Sequence, residues 1–194
     1  MTFANSLRSI LRQDPDIVMI GEIRDTETAE IAVEAALTGH QVLSTMHCND
    51  AAGAIARLDD MGIAPFLISS SVILACAQRL VRKICPSCKE PVSYPATMFR
   101  DLGIPPNHFD DVQIFRGRGC DRCNNSGYSG RSAIVEAMTV TDEIRKLIIA
   151  RSSAMEISRV AISQGMKTLR LVALDKVREG LTTLEQTLVV TAGH

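Results

Sequence analysis

Residues 14–25 read DPDIVMIGEIRD, and the order of residue types inside that stretch decides the fold. Four apolar residues, 17–20, run straight into Gly21 and then a carboxylate, Glu22. A short apolar run with no polar alternation predicts a strand of a parallel sheet covered on both faces. Upstream, Leu7, Ile10 and Leu11 at helical spacing predict a helix over 5–13 that Pro15 ends. Downstream, TETAEIAVEAALTG (26–39) predicts a helix capped by Asp25 or Thr26, with glutamates in its first turns and Gly39 just past its end. QVLSTMH (41–47) predicts a second strand, and AAGAIARLDDMG (51–62) a helix closed by Gly62. Strand, helix, strand, helix is an α/β pattern.

The longest apolar run, APFLISSSVILACAQRLV (64–81), is interrupted by serines, Gln78 and Arg79. It is too short and too broken to span a bilayer, and it predicts a buried helix. From Cys85 to Arg131 the character changes. This stretch holds two C-x-x-C pairs, five of the seven prolines and many Gly and Asn, which predicts a loop-rich insert needing an external staple. Helical periodicity returns in DEIRKLIIAR, AMEISRVAISQG, TLRLVALDKVREG and TLEQTLVVTAG, with Asp142, Thr168 and Thr183 as caps and Gly165 and Gly180 as stops. The expected division is therefore 1–84, an α/β core; 85–131, a cysteine lobe; and 132–194, a helical region.

The chain has 194 residues, 46% of them hydrophobic, enough to bury a core in one domain or two small ones. A net charge of -1, no Trp and few aromatics argue against nucleic-acid binding. MTFANSLRSILRQ has no long apolar segment and no small-residue cleavage site, so a secretory leader is not expected.

Three constellations could carry chemistry. Glu22, at the C-terminal end of its strand, is placed where open α/β sheets bind ligands. It could activate or orient a water near a metal-bound phosphate, or it could be a solvated acid at a strand end. His47 closes the next strand at the same edge if the two are parallel, while His40 opens it some 20 Å away. An imidazole at such an edge could hydrogen-bond a phosphate or be held by a loop carbonyl. Cys85, Cys88, Cys120 and Cys123 suit a tetrahedral zinc with no open coordination position, hence a structural one; a redox pair is the alternative. Arg8 and Arg12, one helical turn apart, and Arg24, two residues after Glu22, could clamp phosphoryl oxygens or simply pair with Asp14, Asp16 or Glu34.

These features occur together and in order. The stretch from TFANSLRSILRQDPD through GEIRD, TGHQVLSTMH and GAIARL resembles the secretion ATPases of type II secretion and type IV pilus assembly, the GspE/PilB family. The two cysteine pairs followed by GYSGRSAIVE resemble the tetracysteine lobe of its assembly branch, and TLEQTLVVTA resembles its C-terminus. The resemblance implies a partial RecA-like P-loop NTPase core, an inserted zinc lobe and a C-terminal helical bundle. It implies ATP, Mg2+ and Zn2+ as cofactors. Glu22 matches the Walker B glutamate. His47 matches the γ-phosphate sensor of the His box, and His40 its opening histidine. Arg8, Arg12 and Arg24 match arginines of nucleotide response and subunit contact, and Arg131 an arginine beside the metal lobe. It further implies a homo-hexameric motor in the cytoplasm, held at the inner membrane by a platform protein and associated assembly proteins, with no nucleic-acid partner. The family's phosphate loop, G-x-x-x-x-G-K-[ST], is absent from the sequence. The chain is therefore expected to be the C-terminal part of a longer ATPase, weakly active or inactive alone. The alternative is a zinc-binding protein-interaction module without catalysis.

Overall fold

The structure, a computed structural model, describes residues 3–104 and 108–192. Along the chain run α1 (Phe3–Leu11), β1 (Ile17–Ile20), α2 (Thr26–Leu37), β2 (Gln41–Ser44), α3 (Ala51–Asp60), α4 (Pro65–Ser71), β3 (Leu74–Ile84), β4 (Lys89–Val92), α5 (Ala96–Asp101), β5 (Ile114–Gly117), β6 (Tyr128–Thr139), α6 (Asp142–Ile149), α7 (Ala154–Ser163), α8 (Leu169–Arg178) and α9 (Leu184–Val190). They form two compact units: Met1–Ala77 with Ala137–Met166, and Gln78–Glu136 with Lys167–His194.

In the first unit β1 and β2 pair in parallel, with Ile17 opposite Gln41 and Ile20 opposite Ser44. Val18 and Ile20 enter a core shared with Ile31, Ile55, Ile68, Met138, Ile144 and Ile157. The expectation that β1 is covered on both faces is not met. Ile17 and Met19 alternate outward, Met19 is 79% exposed, and the Leu43 opposite it is also exposed. An all-apolar strand hides its period, so the sequence pattern could not tell one covered face from two.

Helix starts follow their caps. Asp25, rather than Thr26, accepts the Thr28 N–H at 2.8 Å. Thr141, rather than Asp142, caps α6, because Thr141 keeps an extended backbone and accepts from the Ile144 N–H. Thr168 and Thr183 cap α8 and α9 as expected. Ser153 and Glu156 form a reciprocal capping box at α7.

The run 64–81 is not one buried helix. It holds α4 and most of β3. The Ser69, Ser70 and Ser71 hydroxyls donate back to the Phe66 and Leu67 carbonyls, the local competition that weakens helices. β-Branched Val72 then turns extended, with φ -82° and ψ 123°. In β3, Ala75, Ala77, Val81 and Ile84 are buried. β6, which pairs with β3, occupies part of the segment expected to be helical, burying Ile134, Glu136 and Met138 at every second residue.

The C-terminal helices are divided between the units. α6 and α7 pack on each other and on α4 and α3 in the first unit, whereas α8 and α9 pack together in the second, where α8 also meets β5. The segment 132–194 thus contributes to both units. In the second unit β4 and β5 are antiparallel, with Lys89 opposite Gly117 and Val92 opposite Ile114. Their connection carries α5, and Ile104, Phe109 and Ile114 meet Leu174, Val177 and Leu184 in a small core. No described helix is long and apolar enough to cross a membrane.

Candidate functional site

The parallel pairing of β1 and β2 brings their C-terminal ends side by side, and Thr45 fastens the two loops that follow. Its hydroxyl donates to the Gly21 carbonyl at 2.7 Å, and its own carbonyl accepts the Ile23 N–H at 3.0 Å. This places Glu22 and His47 in contact, with Nε2 of His47 2.5 Å from Oε1 of Glu22. Oε1 is shielded from solvent and has no hydrogen-bond donor despite this approach. The other oxygen, Oε2, is held by Arg24 through both Nε and Nη2 at 2.6 Å. That bond, reinforced by the charges of Arg24 and His47 and opposed by partial burial, holds the Glu22 carboxyl below the usual glutamate range. The carboxylate raises the Arg24 guanidinium in turn. Glu22 is 20% exposed, but Arg24 is 76% and His47 88% exposed, so the guanidinium and the imidazole both stand open to an incoming anion.

Three expected residues gather elsewhere. Arg8, Arg12 and His40 line a groove of about 300 Å³ with Glu34 and Thr38, by the end where β2 begins. Arg8 pairs with Glu27 at 2.8 Å, a partner the sequence did not suggest. Nδ1 of His40 lies 3.0 Å from the Ala35 carbonyl and 3.2 Å from the Thr38 hydroxyl, so it is held at the C-terminal end of α2. Arg131 lies on β6 in the second unit and is exposed. Thr45 is the residue that sequence reasoning missed. Only its place between a strand end and His47 could have marked it.

The four cysteines converge in the second unit. Their sulfurs all lie within 4.8 Å of one another. The Cys85–Cys120 and Cys88–Cys123 separations are 3.9 Å, and Cys120–Cys123 is 3.7 Å. A tetrahedral ion with metal–sulfur bonds near 2.3 Å needs sulfur separations of about 3.8 Å, so the set fits. Backbone N–H groups point at the sulfurs: Gly119 at Cys88, and Cys120 and Gly127 at Cys123, each at 3.3 Å. Burial pushes the Cys123 thiol up, but these N–H groups and the neighbouring thiols carry it down to about 6. Burial and hydrogen bonding with the neighbouring thiols push Cys88 up to about 11 against the Gly119 N–H. Two glycines permit the close packing: a Cβ on Gly117 would stand 2.0 Å from the Gly127 carbonyl oxygen, and Gly127 itself has φ 76°. Cys48 and Cys76 take no part in this cluster.

Comparison with known proteins matches residues 1–189 to the family described as "Type II/IV secretion system protein". The chain belongs to that family. A type IV pilus assembly ATPase, PilB, of Thermus thermophilus is 52% identical over 191 residues, covering 98% of this chain and 22% of the relative. The type II secretion system protein E of Pseudomonas aeruginosa is 53% identical, covering 98% of this chain and 38% of the relative. The chain thus spans between a fifth and two fifths of these relatives' length. Among solved structures, the pilus retraction motor PilT with bound ADP superposes with a TM-score of 0.67 at 26% identity, over 98% of this chain and 44% of that one. The ATPase DotB of Legionella pneumophila shares the fold, with a TM-score of 0.65 at 23% identity, over 100% of this chain and 43% of that one.

Proposed function

We infer that these residues form the water-activating and metal-stapled part of an ATP-hydrolysing motor subunit for pilus or pseudopilus assembly. The observation that carries this is the meeting of Glu22 and His47 at the C-terminal edge of two parallel strands. That edge is where α/β sheets present groups to nucleotides. Glu22 orients or deprotonates the attacking water, and a Mg2+ ion held beside it would neutralise phosphate charge. His47 senses the terminal phosphate, and Arg24, forked onto Glu22 at rest, turns to phosphoryl oxygens. The chain has no G-x-x-x-x-G-K-[ST] stretch, so the loop that cradles the phosphates comes from outside these 194 residues.

The first unit belongs to a RecA-like core, and its helices work with the others as the C-terminal region of the subunit. Arg8, Arg12 and His40 act at the far edge of the sheet, where the motor's subunits meet in a homo-hexamer, and Arg131 acts beside the metal lobe. Zn2+ at Cys85, Cys88, Cys120 and Cys123 is structural, since four thiolates close its coordination. The motor works from the cytoplasmic side of the inner membrane on a platform protein.

The test replaces the matching stretch of the Thermus thermophilus relative with these residues and measures ATP turnover. The chimaera is expected to hydrolyse ATP, and Glu22→Gln to lower turnover about 100-fold or more while nucleotide still binds. Equal turnover with and without the Glu22 carboxylate would reduce the chain to a docking module.

A further inference from the structure

The second unit carries thirteen Lys and Arg against nine Asp and Glu, while the first carries eight against thirteen. A nearly neutral sequence is therefore two oppositely charged units. Much of the positive excess sits on the segments that build the cysteine cluster. Residues 83–89 and 117–131 hold Lys83, Lys89, Arg118, Arg122 and Arg131 and a single acid, Asp121. Lys89 lies over the Phe115 ring at 4.2 Å. The other four are exposed, and among the described residues none is in an ion pair. They stand close to the site. Arg118 donates its backbone N–H to the Cys88 carbonyl, and Arg122 reaches Ser87 at 3.3 Å. Cε of Lys83 lies 3.9 Å from where a Cβ on Gly130 would stand, next to Arg131.

We propose that this cationic surface around the tetracysteine site docks an acidic polypeptide segment of a partner protein. Three of the four cations are arginines, whose planar fork matches a carboxylate. Among the described residues, no large apolar side chain between Val81 and Ile134 is exposed, and the flanking Leu80 and Val135, 46% and 42% exposed, are too little apolar surface to anchor the patch in a bilayer. The rings of Phe115 and Tyr128 beside these segments are spent: Lys89 lies over Phe115, Arg82 covers the Tyr128 face at 4.1 Å, and Thr183 bonds the Tyr128 hydroxyl at 2.8 Å. Without a free ring the surface has no platform for stacking nucleic-acid bases. A contact of this kind is electrostatic, tunable by salt and quick to form.

The test titrates the 194-residue protein, metal loaded, against a fluorescein-labelled polyglutamate peptide at low salt. Parallel arms use phosphatidylglycerol vesicles and duplex DNA. Saturable binding is expected to the peptide, weakened by added salt, and weakened at least about tenfold in K83E/R118E/R122E at unchanged metal content. If that variant loses its metal, K83Q/R118Q is used instead, with a smaller loss expected in the same direction. Absence of peptide binding, equal binding by the variants, or tighter binding to vesicles or DNA overturns the proposal. So does a neutralised variant that sheds metal yet binds the peptide normally, which would assign these cations to balancing the thiolates alone. The proposal stands or falls independently of Glu22, because none of the three arms reads ATP turnover.

Discussion

Glu22 and His47 sit 25 residues apart in sequence and 2.5 Å apart in space, because two neighbouring parallel strands end at the same edge. Neither residue could reach the other if β1 and β2 were antiparallel. The contact is a product of topology, and Thr45 holds it by bonding the Gly21 carbonyl across the strand ends. Thr45→Val is expected to cost roughly 1 kcal/mol in stability and to loosen the site. In the chimaera this reads as lower turnover with nucleotide affinity retained.

The Arg24 fork depresses the Glu22 carboxyl from its ordinary 4.5. A depressed folded value means the pair contributes stability above 4.5, and that contribution is lost as pH falls through the lower, folded value. Arg24→Gln should move the Glu22 midpoint, followed by carboxyl carbon NMR, upward. His47→Gln should move it upward by less, since the histidine is the weaker cause. A midpoint that stays put in Arg24→Gln contradicts the fork.

Metal removal should act on the second unit. Chelation, or Cys88→Ser, is expected to release one metal ion per chain and to lower the thermal midpoint by about 10 °C or more, because a site of this kind couples binding to folding. Elemental analysis beside a calorimetric scan reads both.

Gly117→Ala and Gly127→Ala should each be destabilising by more than about 1 kcal/mol and should weaken metal retention. The clash at Gly117 is with backbone, 2.0 Å from the Gly127 oxygen, and cannot be relieved by a rotamer change. Denaturant unfolding with zinc content measured at each step checks this.

Met19, exposed opposite Leu43 on a parallel sheet, favours self-association. Met19→Lys is expected to reduce concentration-dependent association in sedimentation while changing unfolding free energy by no more than about 0.5 kcal/mol.

Much of the first unit was legible because its signals are local. Asp25 announces a helix through its side-chain oxygen and the Ile17–Ile20 run announces a strand, and in the second unit Thr168 and Thr183 announce α8 and α9 in the same way. The four cysteines were legible from spacing alone, and their sulfurs meet. What was not legible depended on partners. Leu74–Ile84 carries apolar and charged residues on both faces, so its alternation shows only once β6 pairs with it, and three serines that end α4 read equally well as helix surface. His40 and His47 share a motif but stand at opposite ends of β2, which only the strand direction separates. The Arg8–Glu27 pair joins two helices whose packing angle the sequence does not encode locally.

The two halves of the cysteine cluster lie 35 residues apart. During synthesis the first pair emerges from the ribosome about 2–7 s before its partners, at ordinary elongation rates. Through that interval two thiols are exposed with no complete site to enter, open to oxidation or to the wrong ion. A reducing surrounding would keep both thiols available until the second pair arrives.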